Sequence, residues 1–139
     1  MLEPSAKWLA FVEGALERLL SMSPIAFADL VPWLLPKVGG VYLITAIQRK
    51  VERPYYIGRS KNLQRRIYTN HLMGPLTNAR LKKYLVNTGE CSDPEAAKQF
   101  IRTFCHVRWI EEADIRKRGA IEGYATGLLF PKHGIYEEH

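Results

Sequence analysis

A change of hydrophobic period near residue 38 constrains the fold more than any other feature of this chain. Ahead of it, Leu9, Val12, Leu16, Leu19 and Leu20 recur at helical spacing along residues 5–20, with Glu13, Glu17 and Arg18 elsewhere on the wheel. Behind it, Val41-Tyr42-Leu43-Ile44-Thr45-Ala46-Ile47 follows the flexible pair Gly39-Gly40. That run is β-branched and aromatic, and it reads as a strand. A chain that switches period in this way has to combine helices with a sheet.

The remaining punctuation sets the order of elements. Ser23-Pro24 pairs an N-cap with proline at the first helical position, which predicts a second short helix to about Leu30, ended by Pro32 and Pro36. Gln48 to Pro54 reads as a polar hairpin connection and Tyr55 to Gly58 as a second short strand. Ser60 and Asn62 offer caps for a helix from Leu63 to Leu72, stopped by Met73-Gly74-Pro75. Another helix is predicted from Asn78 to Val86. Asp93-Pro94 opens one to about Thr103, Cys105 to Ile110 alternates as a third strand, and Ala113 to Phe130 forms a long helix before Pro131. The order fits an α+β fold: a small three-stranded antiparallel sheet flanked by helices. Residues 1–36 read as an N-terminal helical extension that completes the core rather than a separate module, and residues 37–139 as the main domain.

Composition excludes several classes. With 47% apolar and 24% charged residues in 139, the chain is neither a disordered tail nor a coiled coil. Its two cysteines make no disulfide framework, and Cys91 and Cys105 have no histidine at ligand spacing, so both read as structural. No run reaches the length of a membrane span and no signal peptide is legible, which predicts a cytoplasmic protein without a membrane partner. The net charge of +6 is unevenly spread: residues 37–90 hold 11 of the 20 Lys and Arg but 2 of the 14 Asp and Glu. Such a basic segment is the footprint of a polyanion partner or, on composition alone, a solvated basic face.

Within that segment, Gly40-Val41-Tyr42 opens the first strand and Tyr56-Ile57-Gly58 closes the second. Arg66 follows ten positions after Tyr56, and Glu122 is a lone carboxylate among Ile121, Tyr124, Ala125 and Leu128. Over about residues 37–135 the chain resembles the GIY-YIG endonuclease superfamily. Both glycine–tyrosine triplets are intact, Arg66 stands at the place of the catalytic arginine, and Glu122 at that of the metal-binding glutamate. Pro131 falls where that family's C-terminal proline stands. Two positions depart from the pattern. Asn70 occupies the place of a histidine or tyrosine four residues after the arginine, with His71 beside it. Gly134 stands where an asparagine follows the proline, with His133 beside it.

The resemblance implies metal-dependent hydrolysis of DNA phosphodiesters, with RNA as a further substrate to weigh. Tyr42, Tyr56, Arg66, Glu122 and His71 would be its catalytic set. A Mg²⁺ or Mn²⁺ ion on Glu122 would stabilise the leaving oxygen, and the Arg66 fork would meet charge on the scissile phosphate. One tyrosine, Tyr42 by preference, would take the proton from water. With an ordinary value of about 10, it needs cations nearby to do so. Arg59, Lys61, Arg65, Arg80, Lys82 and Lys83 are the phosphate-contact candidates, joined by Arg116-Lys117-Arg118 ahead of Glu122. One site per chain cuts one strand, so a double-strand break takes a homodimer or two encounters. Each residue also has a plain alternative. The tyrosines would be half-buried strand aromatics, Arg66 a solvated helix residue, Glu122 a surface glutamate and His71 a core-flanking histidine. The competing function is a binding or adaptor domain of the same fold without turnover.

Overall fold

The Ser5 hydroxyl accepts a hydrogen bond from the Trp8 backbone and starts helix α1, Ala6–Ser21. In the computed structural model, which describes residues 1–72 and 80–135, its buried stripe is Val12, Ala15, Leu16 and Leu19. Leu9 and Leu20, expected on that stripe, are exposed. The short helix expected after Pro24 is instead strand β1, Ile25–Ala26, followed by one 3₁₀ turn over Phe27–Asp29. Pairing decides this: Ile25 and Ala26 lie opposite Val107 and His106. Phe27 and Leu30 are buried in the core, and Pro32 starts a separate 3₁₀ turn, Pro32–Leu34, instead of continuing a helix.

Strands β2 (Gly40–Gln48), β3 (Val51–Ser60) and β4 (Cys105–Glu111) complete an antiparallel sheet in the order β1-β4-β2-β3. The sheet therefore has four strands, one more than expected, and the extra one comes from the N-terminal segment. The residues expected as a polar connection are strand, because Arg49 and Lys50 turn the hairpin alone at φ 54° and 64°. Two left-handed residues match the twist of the flanking strands, so pairing continues to the turn. A bulge shifts the register between Ile44 and Thr45, which pair with Tyr56 and Pro54. Tyr55 is the unpaired residue, and the bulge lets Tyr55 and Tyr56 enter the same core.

Helices cover both faces of the sheet. On one, Tyr42, Ile44 and Tyr56 pack with Leu63 and Ile67, with Leu81 and Leu85 of α2 (Arg80–Asn87), and with Ala97 and Ile101 of α3 (Pro94–Phe104). On the other, Val41, Leu43 and Ile57 pack with Ala15, Leu16 and Leu19 of α1 and with Ile121 and Ala125 of α4 (Ile115–Leu129). Burying each such leucine contributes about 1.5–3 kcal/mol, so α1 is an integral wall of the core. Asp93 and Asp114 cap α3 and α4 through their carboxylates. Phe130 ends α4 in the left-handed region at φ 49°, just before Pro131. Cys91 and Cys105 are free thiols in the core. Among the described residues, no helix is long and apolar enough to cross a membrane.

Candidate active site

Tyr42 lies opposite Gly58 in the β2–β3 ladder. Its ring covers that glycine so closely that a Cβ there would overlap the tyrosine hydroxyl. The glycine that closes the second triplet is thus the floor on which the first triplet's tyrosine lies. Tyr42 is 1% exposed and Tyr56 7%, with ring centroids 6.1 Å apart. Tyr56 in turn lies 6.2 Å from Tyr84 on α2.

Glu122 comes from the helix on the other face of the sheet and meets Arg59 of β3, the edge strand among the described residues. Arg59 Nη1 stands 3.8 Å from the Glu122 carboxylate, and the Arg59 backbone N–H also favours the charged form. Gly119, one turn earlier on α4, makes room for this: a Cβ there would fall 2.7 Å from Arg59 Nη1. A cleft of roughly 220 Å³ opens beside the pair, walled by Tyr56, Arg80, Tyr84, Glu122, Pro131 and His133.

Arg66 reaches the same place from a different winding than expected. Asn62 caps the segment by accepting from the Arg65 backbone at 3.0 Å. Residues Arg65–Leu72 then wind as a π-helix, with Ile67 buried and Arg66 half-buried. The charges of Arg66 and Arg80 act on both Tyr42 and Glu122. Four residues from four separated segments therefore converge: Tyr42, Tyr56, Arg66 and Glu122, with Arg59 and Arg80 beside them. The side chains of Asn70 and His71 lie outside the described residues, as does the predicted stop at Met73-Gly74-Pro75.

Burial dominates the electrostatics here. It raises the Glu122 carboxyl above its ordinary range even though Arg59, Arg80 and Arg66 all pull it down. It also holds the Tyr42 hydroxyl well above the usual tyrosine range, reinforced by Tyr56 and Glu122 and only partly opposed by Arg66 and Arg80. At this hydroxyl, burial outweighs the opposing pull of the chain's own cations, Arg66 and Arg80. As for a metal, the described residues contain no cluster of three His, Cys, Asp or Glu side chains. One carboxylate on an open cleft fits a hard cation that keeps its waters and takes further ligands from a phosphate.

The basic candidates divide. Arg59, Lys61, Arg65, Arg80 and Lys83 are exposed. Lys82 is not: at 4% exposure it is buried within reach of Glu95, Lys98 and Arg102, and burial lowers its pKa. The period of α2 turns it inward while its neighbour faces solvent. Arg118 is likewise structural, donating to the Glu112 and Ala113 carbonyls at 3.0 and 2.8 Å. Gly134 has φ +88° and sits against the Tyr56 ring, which accounts for glycine at that departure. Sequence reasoning missed Tyr84, which packing alone brings to the cleft, and Gly119, whose one advance signal is a glycine inside a helix.

Comparison of the chain with family models, with curated proteins and with solved structures finds no match.

Proposed function

We propose that this protein is a metal-dependent endonuclease of the GIY-YIG type that hydrolyses DNA phosphodiesters in the cytoplasm. The observation that carries the reading is a cleft lined by Tyr56 and Glu122, with Tyr42 packed behind Tyr56 and the charge of Arg66 acting on both Tyr42 and Glu122.

An approaching phosphodiester is an anion meeting a carboxylate, and the arginines make that approach favourable. Arg80 on the cleft wall and Arg66, whose charge reaches Glu122, spread donors over the phosphoryl oxygens, where charge grows as the bond breaks. Tyr56, on the cleft wall, donates to the same oxygens, and Tyr42 supports it from behind. Mg²⁺ or Mn²⁺ bound at Glu122 would supply Lewis-acid stabilisation of the leaving oxygen. Arg59, Lys61, Arg65 and Lys83 hold flanking phosphates without reading sequence, so affinity falls as salt rises. One cleft per chain cuts one strand, and a double-strand break takes a second copy or a second encounter.

The test is nicking of supercoiled plasmid with Mg²⁺ or Mn²⁺. Wild-type protein should convert the plasmid to open circles. Glu122→Gln should abolish this, and Arg66→Ala should lower it by about 10²–10³-fold, with circular dichroism unchanged. Tight binding without cleavage would replace the enzyme with a binding domain of the same fold. Cleavage of structured RNA with duplex DNA spared would replace the substrate.

A further inference from the structure

The loop that leads into β2 carries apolar side chains that the fold does not use. Trp33 is 79% exposed, and Leu34 and Val38 of the same loop also face solvent. The loop itself is rigidly built. Pro32 and Pro36 fix φ at two of its positions. The Pro32–Leu34 turn closes through the Leu34 and Leu35 N–H groups, which donate to the Val31 and Pro32 carbonyls at 3.1 Å each. Leu30 and Leu35 anchor it on either side in the core. A ring on such a mount loses little freedom when it binds a partner.

The mount is fastened to the segment that carries Arg66. Gln64 donates from its side chain to the Pro32 carbonyl at 2.8 Å and from its backbone to the Pro36 carbonyl at 3.0 Å. The Leu63 N–H donates to the Val38 carbonyl at 2.9 Å. These contacts keep the Trp33 backbone within roughly 15 Å of the Arg66 backbone, a distance spanned by about four or five base pairs. Gly40 and Ser60 end the β2–β3 ladder on this side, two positions from the Tyr42–Gly58 pair. Residues 30–40 and 57–67 include Lys37, Arg59, Lys61, Arg65 and Arg66 but no Asp or Glu. The first four of these cations are exposed.

A flat, uncharged ring held among fixed cations suits a nucleobase on its phosphate backbone, the pairing by which proteins hold single strands. A continuous duplex offers no free base face, because each base is covered by its neighbours, so the ring gains a contact only where that stack is interrupted. A second copy of this chain fits the patch worse. A two-fold contact would set these lysines and arginines against themselves. An aromatic side chain also supplies at most about 250 Å², against roughly 800 Å² per partner in a stable interface. We propose that Trp33 is a stacking site for an unpaired base near the scissile phosphate, and that the substrate class is DNA with an interrupted stack, such as a flap. The inference rests on the phosphodiester-hydrolysis reading above. Lys37, Lys61 and Arg65 hold the phosphates on either side of that base.

The test reads binding without divalent cation, so that no strand is cut. Fluorescence anisotropy compares a continuous duplex with the same duplex bearing a single-stranded flap. Wild-type protein should bind the flapped DNA about 5- to 100-fold more tightly. Trp33→Ala should bind both forms alike, at the wild-type affinity for duplex, with its unfolding midpoint unchanged, and Trp33→Phe should restore most of the preference. 2-Aminopurine at the first unpaired position should be quenched by wild type and not by Trp33→Ala, a signature that a structural role would not produce. Equal affinity of wild type for the two forms, or a preference that survives in Trp33→Ala, overturns the proposal. So does a dimer in sedimentation velocity that Trp33→Ala dissolves, which would give the patch to a second copy. Adding Mg²⁺ separates this inference from the reading beneath it. A flap preference with no cleavage overturns hydrolysis and leaves the stacking site. Cleavage of both forms at equal rates by wild type and Trp33→Ala overturns the stacking site alone, and failure to bind either DNA overturns both.

Discussion

Gly119→Ala should separate stability from activity on a single helix. In a helix interior, alanine is favoured over glycine by about 0.8–1.0 kcal/mol. The added Cβ would fall 2.7 Å from Arg59 Nη1, the far end of a flexible side chain that is 51% exposed. That guanidinium can swing into water, at the cost of a pair with Glu122 at 3.8 Å that is solvent-exposed on the arginine side. Such pairs are worth roughly 0–1 kcal/mol. The net change in stability should lie between about zero and +1 kcal/mol, a rise of at most a few degrees in Tm. Gly123→Ala supplies the control, because nothing lies within 4 Å of a Cβ at that position. It should gain the full helical increment and leave Arg59 in place. Thermal unfolding by circular dichroism, with DNA binding and nicking at several salt concentrations, reads both quantities. Gly119→Ala should cut more slowly and show a salt slope shallower by about one, while Gly123→Ala matches wild type. The reasoning is refuted if Gly119→Ala is the less stable of the two by more than about 1 kcal/mol, which would mean that Arg59 cannot leave. It is equally refuted if Gly119→Ala binds and cuts as Gly123→Ala does.

Two neighbouring lysines should behave oppositely. Lys83→Ala should reduce the salt slope of DNA binding by about one with stability unchanged, whereas Lys82→Ala should leave the slope alone and shift the unfolding midpoint. Salt titrations and denaturant curves on the two variants check this. The pH dependence of stability should have a contribution from Glu52, whose carboxyl Arg108 holds below its ordinary value of about 4.5 through hydrogen bonds at 2.6 and 3.2 Å. A depressed folded value means that this contribution is complete above about pH 4.5 and disappears as pH falls below it. Urea midpoints at pH 7 and pH 3 should therefore fall less for Glu52→Gln than for wild type, and equal falls would remove the pair from the account.

The elements legible in the sequence are those whose signals are local. Asp93-Pro94 opens α3 because a short carboxylate can cap its own helix, and Asp114 opens α4 in the same way. The β-branched run from Val41 is a strand in the structure as on paper, buried on both faces. What escaped is what depends on distant partners. Ile25 and Ala26 are a strand only because β4, some eighty residues on, lies beside them. The hairpin turn carries Arg49-Lys50 instead of the Asn or Gly that would announce it, and the helix after Asn62 widens into a π-helix. The inward turn of Lys82 is a matter of helix phase against α3, which composition cannot report.

The candidate site divides along the same line. By itself, the sequence determined which chemical groups are present: two tyrosines on pairing strands, an arginine in the following helical segment, one carboxylate in a late helix, and an excess of cations in the middle of the chain. These follow from residue identity and short-range spacing. Only the tertiary structure decided their environments: that Tyr42 lies buried on Gly58, that Gly119 admits Arg59 to Glu122, and that Glu90 holds the buried His133 ring through Nε2. The reason is physical. A side chain's protonation state and reach are set by burial and by charges brought in from remote segments, and those neighbours exist only once the chain has folded.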